Sequence, residues 1–188
     1  MAGKLTNIRR TAASYTIGGV AVLIAIQTLE KGQNTLKITR ASKTDPVTAI
    51  ELGANVTAKP HQLEFEEGGD NVCSFTDNAV FGNNTYLQPT VAFKLGGLTD
   101  ELKQVMEAFD LGKHTFGVKL KTGQCLLVGY QNGLKATQSN GGGGDGTANS
   151  LVGYDLVLTG GEIERAIILS DTVWNQLMQL VPADEDGA

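Results

Sequence analysis

The chain is poor in the residues that mark most chemical sites. Its 188 residues include two cysteines, two histidines, four prolines and one tryptophan. Cys73 and Cys125 are too few for a disulfide framework. Both stand in apolar, strand-like segments, where free thiols are usually buried. His61 and His114 have no second His, Cys or carboxylate at ligand spacing, so a transition-metal site is not expected. Charged residues make up 19% of the chain and the net charge is −5. A groove that grips phosphates is therefore not expected, because nucleic-acid affinity rests largely on Lys and Arg. An acidic surface can still face DNA without holding it. Lys4, Arg9 and Arg10 precede the apolar run 17–26, as in a secretory signal. No small-x-small cleavage site follows, the run is too short to span a bilayer, and a strand explains the same residues.

What the chain does have is glycine, 24 residues of it, between short apolar runs that make up a 41% hydrophobic composition. That combination predicts a mainly β domain with many turns. The one clear helix runs from Leu98 to about residue 110. Leu98, Leu102, Val105, Met106 and Phe109 form one apolar stripe at the helical period. Thr99 or Asp100 suits its N-cap, and Gly112 a left-handed residue just past its end. Segments 90–95, 115–121 and 125–130 read as strands, and Asn132-Gly133 as a two-residue hairpin turn. Segment 18–29 is apolar on both sides, with Val20, Val22, Ile24 and Ile26 on one of them, and predicts a strand buried on both faces. In a small domain another subunit is a natural cover for the second face, which makes these four residues candidates for an inter-subunit sheet. Segment 35–39 returns as the partner strand of a first hairpin, with Leu36 and Ile38 inward. Residues 41–59 read as short strands or a long excursion, turned at Asp45-Pro46. Residues 77–85 read as a polar connection and 139–149 as a Gly-rich loop, with strands at 152–158 and 165–169. Ser170 or Asp171 suits the cap of a short C-terminal helix carrying Val173, Trp174, Leu177, Met178 and Val181. Trp174 fits an interface or packing on its own domain equally well. The organisation expected is an N-terminal arm (1–15), one β-rich domain (16–182) and an acidic tail (183–188).

The search for chemistry fails in specific ways. Gly141, Gly143 and Gly146 match a dinucleotide-binding pattern in letters, but a strand follows where a helix must open. Asp145 in the same loop makes half of a calcium nonapeptide, once, with Thr147 where a large apolar residue belongs. Glu64, Glu66, Glu67 and Asp70 can meet a hard cation, although acidic runs are usually solvated faces. No nucleophile elbow is present, and no enzyme activity, cofactor or metal is expected.

One family resemblance is carried by the order of segments. An extended QPTVAFKL is followed by GLTDELKQVMEAF, then GKHTFGVKLKTGQCLLVGYQNGLKAT, and GTANSLVGYDLVLTG closes the series. This order resembles tail-tube-like structural proteins of tailed bacteriophages, especially those of Bacteroidetes-type hosts, over roughly residues 17–169. The resemblance implies a β-sandwich or partly open barrel with one flanking helix, Leu98 to Phe109. It implies self-association into hexameric rings, stacked into a tube through which DNA passes, in a virion assembled in the host cytoplasm. It would make 41–59 the stacking loop, with Asp45, Pro46, Val47, Ile50 and Leu52 as candidates, and 1–15 an arm to the next ring. The long Gly-rich loop departs from the family pattern. The alternative is another phage ring component (a head–tail connector, tail terminator or baseplate protein) or a β-sandwich binding module.

Overall fold

The computed structural model of the protein describes residues 18–28, 35–53, 59–65, 72–82, 84–143 and 152–182. The expected arm (1–15), the acidic tail (183–188), the turn at Glu30-Lys31-Gly32, and Glu66, Glu67, Asp70, Asp145 and Gly146 lie outside them. The described chain is mainly β, in the order β1 (Val20–Thr28), β2 (Leu36–Thr39), β3 (Ala49–Leu52), β4 (His61–Glu64), β5 (Val72–Val80), β6 (Tyr86–Gly96), α1 (Asp100–Leu111), β7 (Lys113–Leu120), β8 (Cys125–Val128), β9 (Leu134–Gly143), β10 (Val152–Thr159), β11 (Ile167–Leu169) and α2 (Asp171–Gln179).

Nine strands form one antiparallel sheet. Its path is β11-β8-β7-β9-β10-β6-β5, with β1 beside β7 and β4 beside β1. The sheet curls without closing into a barrel. The start of β1 approaches β5, where a Cβ on Gly19 would stand 4.0 Å from the Cys73 carbonyl oxygen. The concave side encloses the larger core. Leu23, Phe93, Phe116, Val118, Leu156 and Leu158 fill it, and Met106 and Phe109 of α1 close it. Phe109 packs edge-on to Phe93 at 5.4 Å between ring centres.

The strand apolar on both faces is β1, and its two faces serve two cores. Leu23 and Ala25 enter the larger one; Ile24 and Ile26 enter a second. This second core lies on the outer side of β1, β8 and β11, under α2 and the β2–β3 hairpin, with Trp174, Leu177, Leu36 and Val47. The cover over Ile24 and Ile26 is therefore the chain's own C-terminal helix and hairpin, where a neighbouring subunit was expected. Val20 leaves the expected stripe. The register steps from Val20↔Leu120 to Val22↔Lys119, a bulge at Ala21 that turns Val20 into the larger core.

The first hairpin is also different from expectation. β2 pairs β3, from Leu36↔Leu52 to Thr39↔Ala49, because β7 and β4 already occupy the two edges of β1. Asn132-Gly133 does not make a two-residue hairpin. β1 runs along one edge of β7, so β8 and β9 share the other edge in succession, β8 at Phe116–Lys119 and β9 at Lys113–His114. The connection between them is longer, framed by Gly129 and Gly133 at positive φ, with the Gly133 N–H donating to the Gly129 carbonyl. The segment expected as a polar connection begins as strand: β5 continues to Val80, which pairs Tyr86, and the turn is confined to residues 81–85. Ser139 to Gly143 likewise belong to β9, paired with β10, and the Tyr154 ring lies across Gly141. Strand pairing and that aromatic cover hold a sequence that composition alone assigns to a loop.

Both helices form where expected. The Thr99 hydroxyl accepts from the Leu102 N–H at 3.2 Å, and the Ser170 hydroxyl from the Val173 N–H at 3.4 Å. α2 presents Val173, Trp174 and Leu177 to the second core. Trp174→Ala is expected to lower unfolding stability by about 3–5 kcal/mol, as for other buried aromatics cut to alanine. Denaturant unfolding measures it; a loss under about 1 kcal/mol would mean that α2 is not what closes the second core.

Candidate functional site

No group of three or more His, Cys, Asp or Glu side chains is placed to hold a metal among the described residues. The surfaces that remain are shaped by packing and by a polar clasp.

The helix stripe divides unevenly. Met106 and Phe109 are buried and Leu102 packs against the larger core. Leu98 stands before the helix and is exposed, and Val105 is 39% exposed. These two of the five expected core residues face outward because α1 begins only at Asp100 and crosses the sheet at its Met106–Phe109 end. Gly112 is extended (φ −110°), not left-handed. It is needed for space: a Cβ there would stand 3.0 Å from His114 Nε2. That close approach lets the chain pass from α1 straight into β7. His114 is buried beneath Phe109, ring centres 4.8 Å apart, with Nε2 3.3 Å from the Ala108 carbonyl. Burial pushes its pKa down, and it is an aromatic filler of the core.

Beside α1 lies a cleft of about 520 Å³. Ala25 and Leu63 of β1 and β4 form its floor with Phe109, Val105 and Ala108 its helical wall, and Lys59, His61 and Glu101 its rim. The stripe spacing indicated a helix face but gave no sign of a cleft, since nothing in it says where β4 lies.

The segment expected as a stacking loop is half of the β2–β3 hairpin. Val47 and Ile50 are buried in the second core and Leu52 packs against it, so these three are unavailable to another ring. Asp45 and Pro46 are exposed at the tip. Residues 54–58 lie outside the described residues. Arg40 braces the hairpin. Its guanidinium donates to the Lys43 carbonyl and forms a two-pronged ion pair with Glu164, at 2.5 and 2.8 Å. The Glu164 carboxylate is the main cause of a raised Arg40 pKa.

Glu164 belongs to a linker, residues 160–166; the strand expected at 165–169 begins only at Ile167, so Arg165 and Ala166 belong to the linker instead. Its links go to four separate parts of the chain. Glu162 is buried and its carboxylate accepts the Asn132 N–H at 2.9 Å, while its backbone pairs with Leu87. Glu164 takes Arg40. Asp77 of β5 accepts the Ala166 N–H at 3.1 Å and lies 3.7 Å from Arg165. Burial pushes the Glu162 pKa up, and the Glu164 charge adds to this. The backbone N–H groups of Asn132, Gln131 and Gly133 pull it the other way. A single glutamate after Gly-Gly carries no sequence signal for this role, because its donors lie about 30 residues away.

Val72–Val80 is a terminal strand of the nine-stranded sheet; β6 lines one edge and, among the described residues, no strand lines the other. Asp77 on it meets the linker. Cys73 is buried there, its thiol pushed up to about 12 by burial, which leaves it unreactive. Cys125 is buried as well. No helix among the described residues is long and apolar enough to cross a membrane. Compared with known proteins, the chain matches no family model, no curated protein and no solved structure.

The raised Glu162 pKa fixes a sign. The folded chain holds that proton more tightly than the unfolded chain does. Wild-type stability relative to Glu162→Gln should therefore increase as pH falls from neutral through the raised pKa, and level off below the ordinary glutamate value. Urea midpoints of both chains across that range test it; a difference that stays constant with pH would show that the proton is not bound more tightly on folding.

Proposed function

We propose that the chain is a structural protein of a tailed-phage virion, acting by self-association into rings that stack as a tail tube. The observation that carries the reading is the leftover of the fold. Two cores are filled from within one chain, yet the nine-residue β5 pairs with β6 alone among the described strands, and the linker meets it only at Asp77. An edge strand of that length is a template for pairing with another chain unless something covers it. The resemblance in segment order supplies the virion context, and a β-rich body with α1 on its flank agrees with it. In this reading DNA passes an acidic chain of net charge −5 without being held. Catalysis has no part in it.

The β2–β3 tip, residues 41–46, takes the stacking role, since Val47, Ile50 and Leu52 serve the chain's own core. Purified protein viewed by electron microscopy across concentration, with light scattering, is expected to show hollow rings that stack into tubes. Closed rings that never stack would favour a connector or terminator. Replacing 41–46 with a short Gly-Ser turn should leave rings and abolish stacking; tubes that form normally would remove the tip from that role.

A further inference from the structure

The chain carries an apolar knob and, among the described residues, a largely apolar cleft on different elements. Phe81, in the turn between β5 and β6, is 81% exposed. Tyr86 pairs with Val80 at the base of that turn, and Ile163, also exposed, follows the Glu162 that pairs Leu87 at the same end of the sheet. The turn itself, residues 81–85, reads Phe-Gly-Asn-Asn-Thr and has no charge. The cleft beside α1 has a volume of about 520 Å³; Ala25, Leu63, Val105, Ala108 and Phe109 line it, together with the polar Gln27, Gln62, Gln104 and His114. Lys59 and Glu101 give its rim one charge of each sign, which favours a neutral insert over a charged one.

We propose that Phe81 of one copy seats in the cleft between α1 and β4 of a second copy. This rests on the self-association reading above and names its contact. Knob and cleft share no residue: β5 ends the sheet path, and β4 lies off that path beside β1. The contact is therefore heterologous: each chain offers one knob and one cleft, and the pattern propagates head to tail until a ring closes. The size of the contact sets how it behaves. A fully covered Phe removes about 150–250 Å² from water. With Tyr86, Ile163 and the cleft walls added, the contact stays below the roughly 1,200 Å² of a stable pair. A lone pair then dissociates readily. Closing a ring gives every chain two contacts at high effective concentration, so assembly is cooperative and passes no stable dimer.

Two variants of the full-length chain test this by sedimentation and light scattering. Phe81→Ala removes the knob from an exposed turn and keeps the cleft. Ala108→Trp fills the cleft from an exposed helical position and keeps the knob. Each alone is expected to raise the concentration needed for ring formation by about tenfold or more, as loss of a central interface anchor does. Both should keep the unfolding midpoint of the wild type. Mixed together they should give a concentration-dependent one-to-one pair that grows no further, since one intact knob and one intact cleft remain. If either variant assembles as the wild type does, the knob-in-cleft contact is wrong while the ring reading stands. A wild-type chain that stays monomeric at every concentration overturns both.

Discussion

The constraint on which the structure depends is that one strand must be buried on both sides. β1 sends Leu23 and Ala25 into one core and Ile24 and Ile26 into another, and all four are buried. Leu23, Ile24 and Ile26 each contribute about 1.5–3 kcal/mol when they leave water, so neither face can be left open. The curled sheet with α1 covers the first; α2 and the β2–β3 hairpin cover the second. The β1–β7 pair is consequently a wall shared by two cores, and the bulge at Ala21 hands Val20 to one side of it. Once both faces are filled from within the chain, β1 has neither a face nor a paired edge left for a neighbour along Val22–Ala25.

Polar contacts hold the layers in register. The linker 160–166 reaches the 129–133 connection through Glu162, the β2–β3 hairpin through Glu164 and β5 through Arg165 and Ala166. Glu162, Arg40 and Glu164 are largely removed from water, where ion pairs and charged hydrogen bonds are screened least, whereas Arg165 is exposed. The Arg40–Glu164 pair is the strongest by geometry, two parallel N–H···O bonds with the side chains 10% and 20% exposed. The arrangement explains how a two-stranded hairpin, marginal in isolation, stays in place on the sheet. It also moves functional attention to the outside of the molecule. Glu162 and His114, drawn inside, are each engaged in packing or in holding backbone N–H and C=O groups. What the fold leaves on the outside is an edge, a hairpin tip, an exposed Phe and a cleft.

The sequence by itself determined the local elements. The 3.6-residue stripe ending in Met106 and Phe109, the caps Thr99 and Ser170, and the two-sided apolar run of β1 were legible because each depends on neighbours within a turn or a strand. Only the tertiary structure decided who pairs with whom and which side of a surface is free. Leu36 and Ile38 read correctly as inward, yet their strand pairs β3 and not β1, because β7 competes successfully for that edge. Gly112 and Asn132-Gly133 followed local turn rules in the sequence but answered to space and to an edge shared by two strands in the fold. Val47 and Ile50 looked available for contact between copies and were claimed by Trp174 and Leu177, more than a hundred residues away. Periodicity records which residues must leave water. It does not record what covers them, since hydrophobic burial has no direction and any apolar surface within reach satisfies it.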